Sequence, residues 1–167
     1  MTALSQQQTP THFSEGFDAF VCEGDTITCD VDGFIVTATI RHDDSGDAPD
    51  ERQDGFWPSL NPQDAGFIGT DKSGADLIEA DSKAGRIIEA WRKDEWFYCG
   101  LVLTVSRDGV TLDDHAASLW GIEANYPGSD NAYLTEVAAD LLPDALYEAR
   151  AALARLCAGC GYVDALA

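Results

Sequence analysis

Between Glu89 and Glu123 the chain reads EAWRKDEWFYCGLVLTVSRDGVTLDDHAASLWGIE, and this stretch leaves little freedom in how it can fold. It opens as the end of an amphipathic helix. Phe97, Cys99, Leu101, Leu103 and Val105 then recur at every second position, which predicts a strand over Trp96–Ser106 with one face in the core. Asp108-Gly109 supplies a two-residue turn. Thr111 and Leu112 begin a return strand that resumes through Ala117, Leu119 and Gly121. Asp113, Asp114 and His115 interrupt its pattern, so a bulge or widened turn is expected there. Trp91, Trp96 and Trp120 fall on these regular elements and read as core or hairpin packing.

The rest of the chain supplies partners for this hairpin. Residues 1–18 are polar, with three consecutive glutamines and a Thr-Pro, and read as a flexible N-terminal arm; residues 19–167 read as one domain. Ile27, Cys29 and Val31 alternate with Thr26, Thr28 and Asp30, Asp32-Gly33 makes a turn, and Phe34–Ile40 is rich in β-branched residues. That is a second β-hairpin. A long loop follows over 42–72, acidic in its first half and carrying Phe56, Trp57, Leu60, Phe67 and Ile68 in its second. Leu77, Ala80, Ala84, Ile87, Ile88 and Trp91 then step by three and four, predicting a helix over Gly74–Lys93. Ser73 and Asp76 form a candidate capping box at its start. Asn125–Asn131, NYPGSDN, is a loop of turn formers in which Asp130 or Asn131 can cap a last helix reaching about Leu156. Its apolar face is Leu134, Val137, Leu141, Leu142, Ala145, Ala149, Ala152 and Leu153, and Pro143 is expected to kink it. The order β-β-α-β-β-α predicts an α+β fold: a four-stranded, mainly antiparallel sheet with two helices on one face.

Charge narrows the function. Thirty acidic residues against ten basic ones leave a formal charge of −20, well past the roughly 2–8 units that keep a small domain soluble. Half of the basic residues (Lys72, Lys83, Arg86, Arg92 and Lys93) sit in or beside the first helix, leaving the remaining surface unbalanced. Such a surface repels nucleic-acid backbones and anionic membranes, and attracts cations and basic proteins. No apolar run approaches the ~18 residues of a membrane span. The first residues show neither a basic start nor an apolar stretch, so no export or transit signal is read there, and the cysteines are expected to be reduced thiols in a cytoplasm.

The combination AWRKDEWFYCGLVLTV and ASLWGIEANYPGSDNAYLTEVA resembles a family of small acidic proteins carried by bacteriophages, prophages and plasmids, over about the last half of the chain. The resemblance implies a mobile-element origin and a bacterial host cytoplasm. It transfers no catalytic residue.

Four constellations remain. On the last helix Glu136, Asp140, Asp144 and Glu148 stand four residues apart. Like charges at that spacing cost ~0.2–0.5 kcal/mol a pair, with no base placed to relieve them. Their axial step of ~6 Å is close to the spacing of phosphates along one nucleic-acid strand. In the loop Asp43, Asp44, Asp47, Asp50, Glu51 and Asp54 make a second acidic group, which does not match the calcium-loop pattern. Beside it Trp57 is a candidate binding aromatic. Cys157 and Cys160, with Cys22 and Cys29, are candidate zinc ligands of poor spacing, and no metal or other cofactor is assigned. Asp113, Asp114 and His115 could serve acid–base chemistry, but no nucleophile, oxyanion hole or phosphate loop accompanies them. The expectation is therefore a non-enzymatic binding protein. Its acids imitate phosphates and occupy the basic groove of a host nucleic-acid-binding machine of restriction or CRISPR type. The alternatives are an adaptor working through the aromatic loop and hairpin, and, ranked last, a metal-dependent enzyme.

Overall fold

A computed structural model describes residues 12–45, 47–51, 59, 61–63, 67–69 and 71–159. Six elements follow one another: β1 Thr26–Val31, β2 Phe34–His42, α1 Ala75–Arg92, β3 Phe97–Arg107, β4 Val110–Ala124 and α2 Ala132–Gly159. The strands form one sheet in the order β1-β2-β3-β4, antiparallel throughout. This is the α+β order expected from the sequence. Both hairpin turns use Asp-Gly with both residues at positive φ (Asp32 53° and Gly33 76°, Asp108 51° and Gly109 79°). That geometry matches the right-handed twist of the flanking strands, and Gly and Asp are among the residues that tolerate it.

One side of the sheet carries Ile27, Cys29, Val31, Phe34, Val36, Ala38, Ile40, Cys99, Leu101, Leu103 and Val105, all buried. α2 covers this side with Leu134, Ala138, Leu142, Ala145, Leu146 and Ala149, and runs on through Pro143. Burying a leucine side chain stabilises by about 1.5–3 kcal/mol. Leu134, Leu142 and Leu146 therefore outweigh the few tenths per pair by which the acids on the outer side of α2 oppose it. α1 is attached at the end of the sheet where β3 begins and β4 finishes, through a second cluster of Ile87, Ala90, Trp96 and Tyr98. Tyr98 belongs to the other side-chain row of β3 from Cys99 and Leu101. Trp96 is fully buried, and its indole N–H donates to the carbonyl of Ile87 at 2.9 Å.

Two local expectations change. The Ser73–Asp76 capping box does not form: Gly74 takes the cap position at φ 56°, without a side-chain hydrogen bond. The arm is shorter than its polar composition suggests. Within it Phe13 is buried, and the Phe17 N–H donates to Thr135 Oγ1. The bulge expected around Asp113–His115 is present, within a return strand continuous over 15 residues. Leu103 pairs with Ala117 and Val105 with Asp113, so Asp114, His115 and Ala116 stand against Thr104 alone.

Candidate partner-binding surface

α2 is long because its sequence sustains an apolar face over seven turns and because its entry is firmly fixed. Asn125 and Asn131 both sit at positive φ, 60° and 59°, a conformation asparagine accepts more readily than most residues. Asn131 is fully buried. Its side-chain amide donates to the Asn125 Oδ1 and to the Ala19 carbonyl, and its own Oδ1 accepts from the Asn125 N–H. Asn125 in turn brackets Val21, accepting from its N–H and donating to its carbonyl. Asp130 Oδ1 accepts from the Ala132 N–H at the first turn of α2.

On the outer side of this helix Glu136, Asp140 and Asp144 are exposed and Glu148 is half-buried. Four-residue steps advance by about 40° beyond a full turn, so the row climbs roughly 18 Å and winds by about 120° from first to last. That drift carries Glu148 toward the sheet. Among the described residues none of the four forms an ion pair. The nearest base in sequence, Arg150, is bound to Asp32 at the β1–β2 turn, 2.7 Å away. Tyr147 is 70 % exposed beside the row. The sequence reading passed over it, although its three-residue step from Asp144 places it on that side.

The loop acids differ in what they meet. Asp43, expected on a docking surface, is buried, 9 % exposed. Its carboxylate accepts from the Ser45 N–H and hydroxyl and from the Gly121 N–H, at 3.1, 2.6 and 3.1 Å. It is a brace between the loop and the bulge of β4, and it is removed from the candidate contact residues. Asp50 pairs with Arg92 at 2.6 Å, so its charge is locally balanced. Asp44, Asp47 and Glu51 remain exposed, Asp44 beside the His42 imidazole at 2.9 Å. Asp54 and Trp57 lie outside the described residues, as does Cys160.

Cys29 lies in the buried row of β1, whereas Cys22 and Cys157 are exposed. Among the described residues no three His, Cys, Asp or Glu side chains gather in a way that could hold a metal ion. His115 Nε2 is 2.9 Å from Ser118 Oγ, which also accepts from the Trp120 indole N–H at 3.2 Å. The Asp113 carboxylate accepts from the His115 backbone N–H rather than orienting its ring. An apolar groove of about 370 Å³ lies between α1 and the loop, lined by Pro62, Phe67, Ile68, Leu77 and Ile78 with Asp81 at its side. No described helix is long and apolar enough to cross a membrane. Compared with known proteins, the chain matches no family model, no curated relative and no solved structure.

Proposed function

We propose that this chain is a mobile-element-encoded inhibitor that acts by binding. The α2 acids take the salt bridges meant for nucleic-acid phosphates in the basic groove of a host defence complex, of restriction or CRISPR type, in the bacterial cytoplasm. The observation that carries this reading is the row Glu136, Asp140, Asp144 and Glu148. It stands on a helix fixed at its base and on its inner side, with no ion-pair partner among the described residues. Uncompensated repulsion persists more readily when a positive cleft elsewhere relieves it. The exposed Asp44, Asp47 and Glu51 form a second contact, and the resemblance of the Ala90–Ala138 region to phage and plasmid proteins supports the setting. Association is fast through electrostatic steering and weakens with salt. The test is capture of partners from host lysate at low and high salt, with wild type and with the variant E136Q/D140N/D144N/E148Q. A basic, salt-sensitive partner lost by the variant is the expected result, and a partner retained by it rules the mechanism out.

A second reading, an adaptor, is favoured by the apolar groove beside α1, where Ile78 is 71 % exposed. Under it, I78D and F67A abolish capture while the quadruple neutralisation does not.

A further inference from the structure

Beyond the Tyr98–Glu123 row, on which α1 packs, the side of the sheet away from α2 carries four register-paired rows. They are Arg41 beside Gly100; Thr26, Thr39, Val102 and Ser118; Thr28, Thr37 and Thr104; and Asp30, Ile35, Ser106 and Thr111. Trp120 lies across Gly100 on this side, since a side chain on Gly100 would run into its ring at 2.3 Å. Ile35 and Trp120 are 47 % and 44 % exposed. In a chain of charge −20, these rows hold two charged side chains, Asp30 and Arg41. Both are exposed, and neither forms an ion pair among the described residues.

From this face we infer that a second copy of the chain docks on it, sheet against sheet. Two such acidic molecules repel wherever their carboxylates meet, and these rows carry one acid against one base. Asp30 and Arg41 stand at opposite ends of the adjacent strands β1 and β2. A two-fold axis running across the strands, level with Ala38, therefore sets the Asp30 of each copy over the other's Arg41 row, offset in the plane of the sheets by one strand's width, about 4.8 Å. The same axis sets threonine rows against threonine rows and leaves both α2 helices on the outside. The face measures roughly 20 Å by 20 Å from strand spacing and rise, below the ~800 Å² per partner of a standard interface. The dimer is accordingly weak and concentration-dependent, and it strengthens as salt screens the net charge. This is opposite in sign to the salt response of a basic partner on α2, so the two ideas fail independently.

Sedimentation of the full chain over a range of concentrations at low and high salt tests it, with circular dichroism melts to verify folding. Wild type associates reversibly, more at high salt. R41D, which sets acid against acid, and T28D, which adds an acid on an exposed position, each weaken association by roughly tenfold or more. D30R/R41D restores it. A wild type that stays monomeric throughout overturns the inference. So does association indifferent to R41D and T28D, or a double exchange that fails to restore what R41D removes.

Discussion

A methyl group added at Gly100 would meet the Trp120 ring at 2.3 Å, with further ring atoms at 2.4 and 2.6 Å. The bulge that places Leu101 against Leu119 but Cys99 against Ile122 turns Trp120 across this glycine. Gly121, at φ 74°, supplies the backbone bend, and its N–H is held by the Asp43 carboxylate. G100A therefore forces the indole off its seat, and a urea titration should show a loss of about 1–3 kcal/mol, as for overpacking elsewhere. G100A/W120A should recover part of that loss, because the clashing ring is gone. A G100A protein as stable as wild type would mean the ring moves aside freely. Asp43 shows how sequence reading went wrong at this scale. In the run HDD it looks like one of several solvated acids, and its brace partner Gly121 is 78 residues away.

At the scale of elements, α2 makes the clearest case for a cost carried in the fold. Three like-charged pairs at four-residue spacing oppose it by ~0.2–0.5 kcal/mol each. Replacing the four acids by their amides should then raise thermal stability slightly, by about 0.6–1.5 kcal/mol, while removing partner capture. A lower melting temperature for that variant would show the acids stabilising the fold through contacts of their own. The acid row, the apolar face of α2 and both Asp-Gly hairpins were legible because each follows from spacing within one element. The helix cap was not. Ser73 and Asp76 have the right separation, but Gly74, at φ 56°, turns the chain into α1 without them. The candidate site was legible only in part. Its helical half is local, whereas the loop half depended on which carboxylates found partners: Asp50 in Arg92, Asp43 in Ser45 and Gly121. Pairing across such separations leaves no periodic trace.

For the molecule as a whole, alkaline conditions probe the packing of the sheet against its helices. Burial, then the nearby Glu123 and Asp43 carboxylates, push the Cys99 thiol up from 9.0 to about 12. Burial and Glu123 likewise raise the phenols of Tyr126 and Tyr133. Below pH 9 the thiol is protonated whether the chain is folded or not, so the stability it contributes is fully present. Between 9 and about 12 the unfolded chain releases a proton that the fold retains, and stability falls by about 1.4 kcal/mol per unit of pH for this group. Urea midpoints should accordingly decline above pH 9, and less steeply in C99A. In native protein at pH 8, thiol reagents should modify the exposed Cys22 and Cys157 well before Cys29 and Cys99. Early labelling of Cys99 would contradict its placement.

The paired asparagines have a consequence for the order in which the molecule can be completed. Their hydrogen bonds reach back 104 and 112 residues to Val21 and Ala19, and Thr135 reaches 118 residues back to Phe17. A chain emerging from the ribosome therefore cannot seat the Phe17–Val21 segment until Asn131 and Thr135 have been synthesised, however early the β1–β2 hairpin zips. Phe17, Ala19 and Val21 are among the last residues to settle, held by partners made more than a hundred residues after them.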